Sequence, residues 1–213
     1  MNQKGILTVI SGPAGSGKGT VISTLMEKNP KFRYSVSATS REPRPGEING
    51  VNYTFVTKEE FSEMITEGKF LEHAEYVGDY YGTPVDYIKE NVDQGYNIIL
   101  EIDLQGALQI KSKFREAVLI MLIPPSFKAL EERLRGRGTE SEDKILQRLA
   151  RAKEEVGFFD SYDYVVINED GKYEQAAEEI NNIISSEKYR TFRNGDILKE
   201  FFGEDTEDTD SQN

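Results

Sequence analysis

The chain has 213 residues, no cysteine and a formal net charge of −12. This excludes disulfides and thiolate metal sites, argues against a nucleic-acid groove or an anionic membrane surface, and makes the cytoplasm the simplest location. No apolar run approaches the roughly 20 residues of a membrane helix. The opening Met1-Asn-Gln-Lys-Gly-Ile-Leu7 runs straight into the first apolar segment and leaves no room for a leader.

The first expected element is a buried strand at Ile6–Ile10. Directly after it comes Gly12-Pro-Ala-Gly-Ser-Gly-Lys-Gly-Thr20, a phosphate-binding loop that opens a helix over Lys18–Lys28. Its glycines let backbone N–H groups turn toward an anion. Lys18 can reach the β- and γ-phosphates, and the helix end adds its positive dipole. The expected ligands of a nucleoside triphosphate are therefore Gly12, Pro13, Ala14, Gly15, Ser16, Gly17, Lys18, Gly19 and Thr20. Gly19 follows Lys18, so the hydroxyl that could touch Mg²⁺ comes one place later, on Thr20.

A short strand is expected at Tyr34–Val36. From about Ser37 to Gln94 the βαβ rhythm breaks. Val51–Val56 reads as an antiparallel strand, Thr57-Lys-Glu-Glu60 as a capping box opening a helix to Glu67, and Phe70–Tyr76 as another strand. Gly78-Asp79 reads as a turn, and Thr83-Pro84 opens a helix to about Val92 with proline at its first position. The alternation then resumes. Strands are expected at Asn97–Ile102, Ala117–Ile123 and Tyr164–Ile167, with helices at Leu104–Phe114, Ser126–Leu134, Glu140–Phe158 and Tyr173–Ile184. Thr139 and Glu142 fit a capping box. Lys188–Phe202 reads as one more short helix.

This pattern gives an α/β fold with a parallel sheet covered on both faces. The expected division is a core of 1–36 and 96–187 with a lid at about 126–160, an α+β insertion at 37–95, and an extension at 188–202. The acidic tail 203–213 is expected to be a disordered, solubilising segment.

The densest polar stretch, Ser35-Val-Ser-Ala-Thr-Ser-Arg-Glu-Pro-Arg-Pro-Gly-Glu47, carries Arg41 and Arg44, two guanidinium forks that can grip one phosphate. Here the chain resembles the guanylate kinase family. The resemblance rests on Gly12–Thr20, Ser35–Glu47, Tyr80-Tyr-Gly-Thr83, Leu100-Glu-Ile-Asp-Leu-Gln-Gly106 and Leu134-Arg-Gly-Arg-Gly-Thr-Glu140, and covers about residues 5 to 185. It implies a P-loop nucleoside monophosphate kinase fold and phosphorylation of GMP, with dGMP a plausible second acceptor, by ATP with Mg²⁺. It also implies that Arg41, Arg44, Tyr53 and Tyr81 hold the GMP phosphate. Glu72 would accept from guanine, Ser37, Thr83 and Asp103 would make further base contacts, and Glu47 belongs to the same pocket.

Arg133-Leu-Arg-Gly-Arg-Gly-Thr139 resembles the family's mobile lid. Arg137 and Arg148 are then the arginines expected on the transferring phosphoryl group, joining Lys18 and Arg41 as catalytic residues. Arg135 and Asn168 are expected at adenine. Arg133 and Arg151 could equally be solvated helix residues paired with glutamates. Glu101 has either a functional role at the sheet edge or a structural one, such as pairing with Arg41 or Arg44. His73, the only histidine, reads as structural.

Three other readings compete. A P-loop GTPase lacks support because no Asn-Lys-x-Asp signature is present, and an AMP kinase would leave Glu72 unexplained. A peptide-binding module of the same fold would not need Lys18 and the lid arginines. Monomer and homo-oligomer both stay open.

Overall fold

The computed structural model describes residues 4–76, 78–136, 138, 141–195 and 197–203. Its centre is a five-stranded parallel sheet in the order β2-β7-β1-β8-β9. The strands are β1 (Leu7–Ser11), β2 (Phe32–Tyr34), β7 (Asn97–Glu101), β8 (Val118–Ile123) and β9 (Tyr164–Ile167). β1 lies centrally, pairing Leu7 with Ile98 on one side and Thr8 with Val118 on the other.

Alternation along these strands divides the core. Ile6, Ile10, Ile99, Ile120 and Leu122 pack against α1 (Lys18–Lys28) and α7 (Tyr173–Glu187). Leu7, Val9, Ile98, Leu100 and Leu119 pack on the opposite face against α3 (Val85–Asp93) and α4 (Leu104–Lys113). Burial on both faces explains why the strands read as unbroken apolar runs. A smaller cluster of Leu130, Leu134, Ile145 and Leu149 joins α5 (Phe127–Gly136) to α6 (Glu142–Gly157). These two helices carry the lid arginines.

The insertion forms a second sheet in the order β4-β3-β6-β5: β3 is Ala38–Thr39, β4 Thr54–Phe55, β5 Phe70–Tyr76 and β6 Asp79–Pro84. The stacked rings of Phe61 and Phe70, 4.4 Å apart, anchor α2 (Lys58–Thr66) beneath it. The capping box is present: Thr57 Oγ accepts from Glu60 N–H, and the Glu60 carboxylate accepts from Thr57 N–H at 2.7 Å. α8 (Ile197–Phe202) is the short helix expected in the extension. Among the described residues no helix is long and apolar enough to cross a membrane.

Several expectations are corrected. β2 starts at Phe32, because that ring is buried in the core while Tyr34 is exposed. The strand expected at Val51–Val56 contracts to Thr54–Phe55 and pairs parallel to β3. Asp79–Pro84 is a full strand, antiparallel to β5. Pro84 is the residue before the helix, and α3 begins at Val85. At the lid, Ser141 precedes α6 without a side-chain cap. Glu142 is drawn to Arg135 instead, and Thr139 lies outside the described residues.

Candidate active site

The phosphate loop leaves β1 at the carboxyl edge of the sheet, where the chain crosses from one side of β1 to the other, the usual ligand site of such sheets. The first hydrogen bond of α1 runs from Val21 N–H to Gly17 O, so Lys18, Gly19 and Thr20 present the three N–H groups that precede the ladder. Lys18 Nζ lies across the loop, donating to Gly12 O at 2.7 Å and Pro13 O at 3.3 Å. Gly17 has φ 90°, and a Cβ there would sit 2.4 Å from Asn168 Nδ2. Glycine is therefore required twice over, by backbone and by space.

Asn168 is 5% exposed and donates from Nδ2 to Ser16 O at 2.8 Å. Its Oδ1 is buried without a partner. Arg133 completes this brace: it donates to Ser16 O at 3.2 Å, to Asn168 O at 2.6 Å and to Asp170 Oδ1. Arg133 is thus tied to the phosphate loop and not to a solvated glutamate. The lid motif includes Arg133, but nothing in the sequence pattern marked its contacts with Ser16 and Asn168. Arg135, two residues on, faces the other way into a clamp between Glu131 and Glu142. Those carboxylates raise its pKa, and Arg135 in turn holds Glu142 below the usual carboxylate range.

Two clefts meet at Lys18. One of about 360 Å³ is lined by Ala14, Gly15, Gly17, Lys18, Gly19, Thr20, Glu101 and Arg148. The next, about 400 Å³, shares Ala14, Lys18, Glu101 and Arg148 and continues to Asp103 and Arg151. Lys18, Arg148 and Glu101 therefore come together as expected of a transfer site. Arg137 lies outside the described residues. Glu101 pairs with neither Arg41 nor Arg44; Tyr34 donates its hydroxyl to it at 3.4 Å.

The acceptor side is built on the second sheet. Arg41 donates from Nη2 to both Glu47 oxygens, at 2.9 and 3.0 Å, and Glu47 also accepts from Arg44 N–H at 2.7 Å. The Arg41 hydrogen bond, then that from Arg44, holds the Glu47 carboxyl below its ordinary value. Glu47 thereby fixes the Arg41 fork, whose Nε is buried without a partner. Tyr53 and Tyr81 meet edge to face with centroids 6.0 Å apart, and the Arg41 guanidinium lies 5.6 Å from the Tyr53 ring. Arg41, Glu47, Tyr53 and Tyr81 thus form one side-chain cluster, to which Arg44 contributes its backbone N–H. Burial raises the Tyr53 pKa, so its hydroxyl stays a donor.

Glu72 is 6% exposed, and Thr83, fully buried, donates to its Oε1 at 2.6 Å. Oε2 faces the start of α4, where a Cβ on Gly106 would lie 3.1 Å away. Burial pushes the Glu72 pKa up; the Thr83 hydrogen bond opposes the shift and the charge on Asp103 adds to it. Ser37, just before β3, gives its carbonyl to Thr54 N–H at 2.9 Å. Asp103 caps α4, Oδ1 accepting from Gly106 N–H at 3.0 Å, while Oδ2 accepts from Arg151 at 3.3 Å. The His73 backbone exchanges hydrogen bonds with the Gln109 side-chain amide, its N–H donating to Oε1 and its carbonyl accepting from Nε2, each at 3.3 Å.

The family model for guanylate kinase matches residues 4–187. The chain belongs to the guanylate kinase family. A guanylate kinase of Shouchella clausii is 54% identical over 87% of this chain and 89% of the relative. One from Streptococcus agalactiae serotype III is 51% identical over 91% of this chain and 92% of its own length. The crystal structure of guanylate kinase from Anaplasma phagocytophilum superposes with a TM-score of 0.72 at 34% identity, covering 96% of this chain and 99% of that one. The family and its fold thus agree with the P-loop core and inserted sheet seen here.

Proposed function

We propose that this chain catalyses ATP + GMP to ADP + GDP in the cytoplasm, accepts dGMP as well, and divides the work between the two halves of the cleft. The observation that carries this reading is Glu72: a buried carboxylate with one oxygen taken by Thr83, set beside the Arg41–Glu47–Tyr53–Tyr81 cluster. Guanine offers N1–H and a 2-amino group to such a carboxylate, whereas adenine presents a bare ring nitrogen. Ser37, Thr83 and Asp103 complete the base pocket, and Arg41, Arg44, Tyr53 and Tyr81 hold the GMP phosphate.

On the donor side the loop N–H groups and Lys18 bind the ATP phosphates. On the adenine side we assign Asn168, which braces the loop through Ser16 O, and Arg135, which has to leave its Glu131–Glu142 clamp to reach the base. The GMP phosphate oxygen is already anionic at neutral pH, so attack needs no general base. Catalysis is alignment plus charge neutralisation by Lys18, Arg41, Arg137 and Arg148. The Thr20 hydroxyl and Glu101 carboxylate share the phosphate cleft. That pair suits a hard cation carried mainly by phosphate and water, and among the described residues no group of three acidic or histidine side chains offers a cage. When bound, Mg²⁺ would neutralise charge on the β- and γ-phosphates.

A coupled assay with ATP and Mg²⁺ against GMP, dGMP, AMP, CMP and UMP tests the reading. GMP should be used fastest; fastest turnover of AMP, or none of any, refutes it. A second outcome follows from the brace. Arg133→Ala removes the donors that hold Ser16 O and Asn168 O, so KM for ATP should rise about tenfold, with KM for GMP unchanged. Equal rises in both would mean that the whole lid, and not the phosphate loop, had shifted.

A further inference from the structure

Among the described residues the Asp103–Arg151 ion pair joins the lid to the acceptor half, and its place in the cleft suggests a task. Asp103 lies between the base pocket and the lid: Oδ1 caps α4 beside Glu72, and Oδ2 accepts from Arg151 of α6 at 3.3 Å. Arg151 is itself oriented from behind, donating from Nε to Glu155 at 2.9 Å, one turn further along the same helix. Arg148 lies three residues before it, so both side chains fall on one helix face, and both line the cleft of Lys18 and Glu101. The contacts run continuously from Glu72 through the start of α4 and Asp103 to Arg151, and along α6 to Arg148.

We propose that Arg151 is a positioning residue which, through Asp103, registers α6 against the acceptor site and so places Arg148 over the transferring phosphoryl group. This rests on the GMP kinase reading above. The pair is about half exposed on each side, 57% and 46%. Its effect is therefore modest and screened by salt.

The test is a double-mutant cycle on the full chain, with kcat, substrate KM values and unfolding measured for each variant. Arg151→Gln should lower kcat about three- to fivefold while leaving the affinity for ATP alone unchanged. Asp103→Asn keeps an N-cap residue, so α4 should remain capped. In the Asp103→Asn background, Arg151→Gln should cost nothing further. Arg151→Lys should recover most of the rate, and the gap between wild type and Arg151→Gln should close at about 0.5 M KCl. Additive losses in the double variant, or a gap that persists in salt, overturn the proposal. A change in unfolding midpoint with kcat unaltered assigns Arg151 to stability alone and overturns it too. Wild-type protein that does not phosphorylate GMP refutes the functional reading instead.

Discussion

Lys18→Ala is expected to lower kcat by about 10³-fold or more while leaving stability nearly unchanged. The rate loss follows from where the ammonium lies. Lys18 borders both clefts together with Arg148, and of these two cations it is the one seated on the phosphate loop itself, placed to follow the phosphoryl group from donor to acceptor. An interaction made mainly in the transition state lowers kcat and kcat/KM together. The stability change stays small because two terms oppose. Removing the donor to Gly12 O and Pro13 O costs about 1 kcal/mol. Removing a positive charge from the first residue of α1, where the helix dipole is also positive, returns a few tenths to about 1 kcal/mol. Urea unfolding beside the coupled assay checks both halves. A residual rate within tenfold of wild type would remove Lys18 from the chemistry, and a collapse of the fold would make it structural.

Lys18 was legible because everything that places it is local. The glycines, the preceding apolar run and the helix that follows lie within 24 residues, Gly5 to Lys28, and α1 has the expected ends. Features set by tertiary pairing were harder to read. β6 contains Gly82 and Pro84, poor strand formers, and earns its place by packing: a Cβ on Gly82 would lie 2.9 Å from the Phe70 ring. The direction of β4 depends on β3, fifteen residues earlier, through only two residue pairs. At the start of α6 the sequence did not show that Glu142 would be the first helical residue and pair with Arg135 from the preceding helix. Arg133 and Arg135 show the same limit at the site. Their spacing of two turns them to different sides of α5, one toward Asn168 and one toward α6, and composition cannot say which. The acceptor residues were named through family motifs, yet the Thr83–Glu72 hydrogen bond and the Glu47 grip on Arg41 emerge only in three dimensions.

Glu72→Gln should reverse the balance between stability and specificity. Its expected cost is roughly 10²-fold in kcat/KM for GMP, the worth of a charged hydrogen bond to guanine. AMP use should rise, because the new amide can donate to the adenine ring nitrogen that a carboxylate repels. Stability should move the other way. Burial raises the Glu72 pKa, so the folded chain holds this proton more tightly than the unfolded chain does. The group's contribution is then fully present below the ordinary carboxylate range, near pH 4, and is lost as pH rises through the raised folded value. At neutral pH the ionised side chain is a burden on the fold. Glutamine is neutral and can still accept from Thr83, so the variant should unfold at higher urea than wild type at pH 7, with the gap closing toward pH 4. A variant less stable at pH 7 would mean that Glu72 is stabilised as an anion. Unaltered GMP use would remove it from the base pocket. If both expectations hold, the chain maintains a buried charge that weakens its own fold because the guanine edge is the partner that satisfies it.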